Sequence, residues 1–318
     1  MLTILFATKN GAALLPGVLD AYAQLAAPPG GWRLVIVDNG STDDTPRILQ
    51  ASTGKLPLTV LHEGRPGKNA ALNTGLGHIA GDLVALTDDD VFPHPDWLIE
   101  LRRAADEHPE ASVFGGRVLP RWQSPPPDWI VEFVPKGPTF ALTEPQWHNE
   151  GAIAPDLIFG PNMAVRAAIF REGFRFDESI GPKGKSYAMG SESEFTNRVA
   201  RAGYRSWFCP GMVVEHFIPA PHLDRRWILN RSMRYGRGRY RLKDRFIYAD
   251  SRTLLGVPRY LCWLAVKAAW AFLRETLRGN DRRRFEAHWH LNFCLGEIME
   301  ARSLARMAAP TAYPSANR

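Results

Sequence analysis

The chain has 318 residues, of which 45% are hydrophobic and 23% charged, and its formal net charge is +6. This composition is that of an ordinary globular protein with one large core or two modest domains, and it excludes a largely disordered chain. Its three cysteines lie far apart and in no metal-ligand spacing, which excludes a cysteine-based zinc site and favours a reducing compartment.

The N-terminal segment is an apolar run with no basic region before it and no small-residue cleavage site after it. This pattern indicates a first β-strand and not a signal peptide. We therefore expect a cytoplasmic protein.

Short apolar runs alternate with helical periodicity over the first 120 residues. A repeating strand and helix order favours an α/β fold with a Rossmann-like, mostly parallel sheet and flanking helices, in which ligands bind at the carboxyl ends of the strands. We predict strands at residues 3–7, 33–37, 58–62 and 83–87, and helices at residues 14–24, 45–52, 69–79 and 96–106.

The second half is less periodic. Residues 120–155 are rich in Pro and Trp and predict a long ordered excursion over the sheet. Prolines at positions 219 and 221 then interrupt any continuing element, so we predict a first domain at residues 1–220 and a helical, basic region at residues 221–318. Between them we predict regular structure at residues 157–165, a helix at 192–201 and strands at 204–209 and 213–216.

Three adjacent carboxylates, Asp88 to Asp90, end the predicted strand at residues 83–87. Like charges this close repel one another, and a divalent cation between them relieves the repulsion. Oxygen ligands suit Mg²⁺ or Mn²⁺ in a site that also takes diphosphate oxygens. A solvated acidic turn that caps the next helix is the alternative.

Two further turns lie at predicted strand or helix ends. Asp38 follows a buried strand, and its carboxylate can accept a hydrogen bond from a nucleobase, although the turn is also compatible with a simple strand-to-helix connection. Gly67, Lys68 and Asn69 form a glycine turn with a lysine at a helix start, which is a suitable anion site but not a Walker loop.

In order and spacing these segments resemble the family 2 glycosyltransferases with the GT-A fold. Thr8 and Asn10 look like the end of the family's first strand, and Asp38 like its base-binding turn. The resemblance implies that Asp38 contacts the base, Asp88 the ribose, and Asp89 or Asp90 the cation, with Asp89 ranked first.

The second half carries the same resemblance. The stretch around Asn162 is similar to the family's acceptor-side strand, which implies that Asn162 contacts substrate. Ser191, Glu192 and Glu194 align with the family's Gly-Glu-Asp region. Ser191 stands where the family has Glu, and Glu192 where it has the Asp that acts as catalytic base. The resemblance therefore implies that Glu192 takes the proton of an acceptor hydroxyl and Glu194 contacts substrate, with inversion at the anomeric carbon. A first-turn acidic pair that favours the helix N-terminus is the alternative.

His216 follows an apolar strand, and in some family members a histidine here completes the metal shell. We predict it as a ligand of Mn²⁺ or Mg²⁺, with a structural histidine as the alternative.

A basic segment follows, because residues 225–245 hold nine Lys or Arg residues against a single acid, Asp244. Such a segment calls for an anionic partner, and donor phosphates, anionic lipid and nucleic acid all fit the charge. Its place after the predicted catalytic half favours donor phosphate, and we expect no nucleic-acid partner.

Residues 254–273 are apolar, but Pro258 and two basic residues argue against a membrane span. We predict a helix lying in the plane of an anionic membrane surface, with Trp263 and Trp270 at the headgroup level. Packing on the first domain or in a homodimer is the alternative. The basic residues fall within an arc of about 100°, and they are Arg259, Lys267, Arg274 and Arg278.

Together these features predict an inverting glycosyltransferase that moves a sugar from a nucleotide-diphosphate donor, with UDP as the first choice, to a glycan or lipid-linked acceptor. The enzyme would act in polysaccharide or glycoconjugate synthesis and attach peripherally to the cytoplasmic membrane face. The alternatives are a sugar nucleotidyltransferase, which needs a richer glycine loop after its first strand, and an inactive nucleotide-sugar-binding protein.

Overall fold

The computed structural model describes residues 1–144, 146–147, 149–181 and 187–308. The predicted C-terminal region therefore has its last ten residues, 309–318, outside the described part. The chain divides into two compact units. The first comprises Met1–Pro127, Pro135–Lys185 and Gly190–Leu223, and the second comprises Asp128–Val134, Ser186–Met189 and Asp224–Arg318. The predicted domain boundary at residue 220 stays a prediction.

The first unit is built on a sheet with strand order β3-β2-β1-β4-β8-β6-β9-β5, and β7 pairs with β9. The strands β1, β2, β3, β4, β6 and β9 run in one direction, and β5, β7 and β8 run against them. The sheet is therefore mostly parallel, as predicted. The strands are β1 Leu2–Thr8, β2 Trp32–Asp38, β3 Leu58–His62, β4 Leu83–Leu86, β5 Val91–Pro93, β6 Ala111–Trp122, β7 Gly151–Ala152, β8 Met163–Arg166 and β9 Arg205–Ile218.

Twelve α-helices occur in the described residues, and α5, α9, α10, α11 and α12 belong to the second unit. Short 3₁₀ helices lie at Leu76–His78, Pro155–Leu157, Gly160–Asn162 and Ala220–Leu223, and a π-helix at Tyr240–Asp244. The α-helices are α1 Leu15–Ala23, α2 Thr45–Ser52, α3 Lys68–Gly75, α4 Trp97–Glu107, α5 Asp128–Phe133, α6 Lys136–Phe140, α7 Ala167–Arg171, α8 Ser191–Arg201, α9 Arg225–Arg239, α10 Arg245–Ile247, α11 Arg259–Arg278 and α12 Asp281–Ala308.

The core of the first unit lies where helices cover the central strands. Strands β1, β2 and β4 are almost entirely buried, which is why they read as continuous apolar runs. Helix α1 turns Leu15, Val18, Leu19 and Tyr22 inward at helical spacing. Such packing fixes where each strand ends and therefore where the polar residues after it lie.

Strand β6 was not predicted, although it lies inside the sheet between β8 and β9. The apolar pattern of this strand is interrupted by Gly115, Gly116 and Pro120. Glycine and proline are poor strand formers in isolation. Close packing explains one of the glycines, since a Cβ at Gly116 would lie 2.3 Å from the Asn162 side chain. Tertiary packing thus overrides a weak local signal.

Two smaller differences concern the other strands. The predicted pair at residues 204–209 and 213–216 is one strand, β9, and the β6–β9 pairing shifts register between Gly116 and Arg117. The predicted excursion at residues 120–155 begins with the end of β6 and includes helices α5 and α6 and strand β7. Residues 145 and 148 of that stretch lie outside the described part.

The second unit is helical, and α12 packs against both α9 and α11. The N-terminus of α9 is capped by Asp224, whose carboxylate accepts from the backbone N–H groups of Arg226 and Trp227. Glu300 is fully buried and pairs with Arg237 at 2.9 Å and Arg241 at 2.7 Å. Two of the basic residues predicted to seek an anionic partner are therefore paired inside this unit.

The predicted apolar helix at residues 254–273 begins later and ends later than expected. Residues 253–258 form a two-stranded hairpin, β10 Thr253–Leu254 and β11 Val257–Pro258, and α11 follows it directly. In the described part of the chain no helix combines the length and the apolar character of a membrane span.

Candidate active site

The acidic run lies at the carboxyl edge of the parallel strands. Strand β1 lies between β2 and β4, with Thr8 opposite Asp38 in the register. The Thr8 hydroxyl donates a hydrogen bond to Asp89 Oδ2 at 2.6 Å. Burial raises the pKa of Asp89 to about 6, the Thr8 hydrogen bond opposes this, and the neighbouring carboxylates add to it. Asp38, Thr8 and Asp89 thus follow one another along this edge.

The loops after β1 and β2 are held together around Asp38. Its Oδ1 atom accepts from the backbone N–H of Ser41 at 2.9 Å. The Ser41 hydroxyl in turn accepts from the N–H of Asn10, and the Asn10 side chain accepts from the N–H of Thr42. Asn10 adopts a left-handed backbone conformation to make these contacts. The predicted base-binding turn is therefore a preorganised loop.

Lys68, at the start of α3, joins two carboxylates from distant parts of the chain. Its ammonium lies 2.5 Å from Asp88 Oδ1 and 2.9 Å from Glu192 Oε1. Burial works to lower the pKa of Lys68, but the two carboxylates reverse this and raise it. Burial raises the pKa of Asp88, and the Lys68 charge offsets only part of this effect. The sequence predicted an anion site at Lys68 but not this bridge.

The turn that carries Lys68 is shaped by a neighbouring asparagine. The Asn39 amide donates to the carbonyls of Glu63 and Arg65, and its oxygen accepts from the Gly67 N–H at 2.9 Å. Gly67 has φ 129°, in the region that favours glycine. Asn39 is therefore a loop organiser that sequence reasoning missed.

Glu192 lies in the first turn of α8, which begins after Gly190. Its carboxylate packs over Gly160, where an added Cβ would come within 2.6 Å of Oε1. Glu194, two residues on, pairs with Arg198 at 2.8 Å. Of the two predicted acids on this helix, Glu192 is the one that meets Lys68.

Asp90 and His216 meet across the antiparallel pairing of β5 and β9. His216 Nδ1 donates to the Phe140 carbonyl at 2.7 Å, which directs Nε2 toward Asp90 Oδ2 at 3.4 Å. Burial works to raise the pKa of Asp90, but the His216 charge outweighs it and leaves the pKa below its ordinary value. Burial also works to lower the pKa of His216, and the Asp90 charge raises it instead. Each group therefore favours the charged form of the other.

The residues around Asp90 fit a divalent cation. Asp90 Oδ1 is buried and has no hydrogen-bond partner among the described residues. When the His216 ring is neutral, the Phe140 carbonyl keeps its one proton on Nδ1. Nε2 then offers its lone pair on the side of the ring that faces Asp90. A carboxylate and an imidazole together suit Mn²⁺. By its contacts Asp90 is a better candidate ligand than Asp89, whose Oδ2 already accepts from Thr8.

A second cluster of candidate metal ligands lies elsewhere in the first unit. Among the described residues, Glu107, His108 and Glu150 form the group whose ligand atoms all lie within 4.8 Å of one another. Arg103, however, donates to both Glu107 and Glu150. Its guanidinium already supplies the positive charge there, so this cluster is satisfied without a cation.

Two predicted substrate residues have structural hydrogen bonds. The Asn69 amide donates to the carbonyls of Asp177 and Ile180 and accepts from the Ser191 hydroxyl. The fully buried Asn162 donates to the carbonyls of Arg117 and Met212 and accepts from Trp97 Nε1. Their side chains tie the site's loops and strands together, and their contact with substrate stays a prediction.

Comparisons with known proteins agree on the family and the fold. The chain is 26% identical over 213 residues to the glucosyl-dolichyl phosphate glucuronosyltransferase of Haloferax volcanii, and the match covers 64% of each chain. It is 27% identical over 243 residues to glycosyltransferase AglE of the same organism, covering 74% of this chain and 72% of that one. The chain thus spans less than two thirds of the first relative's length.

Solved structures show the same architecture. The mannosyltransferase PcManGT from Pyrobaculum calidifontis, in complex with GDP-Man and Mn²⁺, is 23% identical with a TM-score of 0.56, over 97% of this chain and 75% of that chain. TarS from S. aureus, in complex with UDP-GlcNAc, is 14% identical with a TM-score of 0.54, over 93% and 90%. The predicted GT-A fold is confirmed. A model of glycosyl transferase family 2 matches residues 3–172, more than half of the chain, and the chain therefore belongs to that family.

Proposed function

We propose that this chain is an inverting glycosyltransferase that moves a sugar from a nucleoside-diphosphate donor to a hydroxyl of a glycan or lipid-linked acceptor. One observation supports this most strongly. Lys68 holds Asp88 and Glu192 together at the sheet edge where Asp38, Asp89 and Asp90 also lie. Groups suited to bind a nucleotide, a cation and an acceptor proton thus come from separate stretches of the first unit.

The donor nucleotide would bind along the ends of β1, β2 and β4. Asp38 would accept a hydrogen bond from the base, and Asp88 would contact the ribose. The bonds among Asp38, Ser41 and Asn10 hold this loop in one conformation, so little ordering would oppose binding. UDP is the first choice, and GDP and dTDP are the alternatives.

A divalent cation, Mn²⁺ or Mg²⁺, would be held by Asp90 and His216, with Asp89 beside them. Bound there, it would stabilise the negative charge that develops on the departing nucleoside diphosphate. The unpartnered Asp90 Oδ1 and the oriented Nε2 of His216 support this assignment.

Glu192 would act as the general base. An acceptor hydroxyl loses its proton as its oxygen attacks the anomeric carbon, and a carboxylate within hydrogen-bond reach takes that proton. The Lys68 ammonium, 2.9 Å away, favours the ionised carboxylate that a base requires. A single base and direct displacement invert the anomeric configuration.

The acceptor class is inferred from the relatives. One relative is named for a dolichyl-phosphate-linked substrate, and another for PGL/p-HBAD biosynthesis in Mycobacterium tuberculosis. We therefore favour a lipid-linked acceptor and a role in glycoconjugate synthesis.

A thermal-shift screen with UDP, GDP and dTDP, each with and without Mn²⁺, tests the proposal. We expect one diphosphate with Mn²⁺ to raise the Tm by about 5 °C at a hundred times its Kd, because ligand binding to the folded state adds stability. The matching nucleoside monophosphate should give a smaller shift. An unchanged Tm with every nucleotide would contradict donor binding.

A further inference from the structure

Helix α11 of the second unit presents a continuous strip of large apolar side chains to solvent. At about 100° per residue the five fall within an arc of about 80°. Each is at least half exposed, from 50% at Leu273 to 81% at Leu277. We call this the α11 strip, and its members are Trp263, Val266, Trp270, Leu273 and Leu277.

The opposite face of α11 supplies the packing of this unit. Leu261 and Ala268 are buried there, and Leu261 shares a small core with Val257 and Ala301. The Phe272 ring lies against His288 of α12, with ring centroids 4.4 Å apart. The helix is therefore anchored on one side, and the strip is not part of the unit's own core.

Basic side chains border the strip along one edge. Lys267, Arg274 and Arg278 project at about 60° to 100° from its centre line, all on one side. Lys267 Nζ lies 4.2 Å from the Trp263 ring centroid. Glu275 is the one acid of this helix, and it is buried and paired with Arg274 and Arg278. The exposed side of α11 therefore combines apolar and positive character without an exposed carboxylate of its own.

Exposed apolar residues also precede the helix. Leu254 and Leu255, in the β10–β11 hairpin, are 57% and 77% exposed. Leu255 has a positive φ of 51°, a conformation where Gly or Asn is usual in a soluble turn. A turn that carries leucines here suits an apolar environment better than water.

We propose that the α11 strip is the surface through which this protein binds the headgroup region of an anionic lipid bilayer, with α11 lying in the membrane plane. Tryptophans beside basic residues are suited to that region, where the indole ring is half in apolar surroundings and the cation meets lipid phosphate. A second copy packed antiparallel on the same strip would bring two basic edges together, which disfavours that homodimer. The inference goes beyond glycosyl transfer and stands independently of it.

Co-sedimentation of the full chain with vesicles tests this surface. One set contains phosphatidylcholine alone, and in the other a third of the lipid is phosphatidylglycerol. We expect at least about tenfold stronger binding to the anionic vesicles, because several basic residues each contribute at the surface. The double variant Trp263→Ser, Trp270→Ser should lose about tenfold or more, since the buried apolar area falls.

Lys267→Gln separates charge from apolar contact. It should weaken binding to anionic vesicles about fivefold and leave the weak binding to neutral vesicles unchanged. Leu157→Ser, at an exposed apolar residue of the first unit, is the matched control and should bind as the wild type does. All the changed residues are exposed, so circular dichroism should show unchanged melting.

Two outcomes would overturn the proposal. One is equal binding of the wild type and the double tryptophan variant to anionic vesicles, or no binding by either. The other is sedimentation velocity that shows a wild-type dimer without lipid and a monomeric tryptophan variant, which would assign the strip to a second copy. Because neither readout uses turnover, failure of the glycosyltransferase proposal would leave the vesicle result unaffected.

Discussion

Glu192→Gln is expected to lower the turnover of donor and acceptor by about a thousandfold, the contribution of a well-placed general base. Glutamine keeps the size of the side chain and removes the group that takes the proton. The carboxylate lies over Gly160 and beside Lys68, so the amide can occupy the same space. Donor affinity should change little, because Asp38, Asp88 and the cation ligands remain. Turnover is followed as release of nucleoside diphosphate, and donor affinity by titration calorimetry.

The control for this variant is Glu172→Gln, at an exposed glutamate in the same unit that contacts Tyr204. It should keep wild-type turnover. Equal rates for wild type and Glu192→Gln would exclude Glu192 as the base. If neither protein turned over any donor but both bound it, the chain would be a nucleotide-sugar-binding protein.

Asp90→Asn is expected to lower turnover by at least about a hundredfold, since a cation at the leaving group supplies several kcal/mol of charge stabilisation. The substitution replaces one carboxylate oxygen by an amide nitrogen, which is a poor ligand for Mn²⁺. Affinity for Mn²⁺, measured by titration in the presence of the diphosphate, should fall in parallel. A chelator should abolish wild-type turnover, and added Mn²⁺ should restore it.

The control here is Glu107→Gln, which changes the alternative acidic cluster. Because Arg103 neutralises that cluster, Mn²⁺ affinity and turnover should stay at the wild-type level. A loss of Mn²⁺ affinity in Glu107→Gln with none in Asp90→Asn would place the cation at the alternative cluster and contradict its assignment to Asp90. Melting temperatures of both variants distinguish loss of ligands from loss of fold.

The sequence was sufficient for most of the first half of the fold, because local and tertiary preferences agree there. Strands β1 to β4 are short, apolar and flanked by helices of clear periodicity, and β3 occupies the residues predicted for it. Strand β6 was missed because its glycines and proline weaken every local indicator of a strand. Its partners β8 and β9 lie far away in the sequence, and only their packing makes the strand stable.

The candidate site was predictable where parallel topology determines it. Residues at or just beyond the carboxyl ends of β1, β2 and β4 meet at one sheet edge in any such fold, so Thr8, Asp38 and the acidic run could be grouped from the sequence alone. The Lys68–Glu192 pair could not, because 124 residues separate its members and nothing local relates them. The same is true of Asn162, whose amide lies among three distant segments.

Helix α11 shows a different limit. Periodicity predicted its amphipathic character, but it could not tell which apolar residues pack inside the protein. Cys262 and Leu264 pack against the small core of the second unit, whereas the α11 strip is exposed. Only contacts with α12 separate an internal apolar face from an external one.

We propose that the cation and the donor diphosphate bind at the acidic run of the first unit. Anomalous diffraction from a crystal soaked with Mn²⁺ and UDP locates both ligands. We expect a manganese peak within coordination distance of Asp90 and His216, with the diphosphate beside it. A peak at Glu107, His108 and Glu150 instead, or a diphosphate bound away from Asp88 to Asp90, would contradict it.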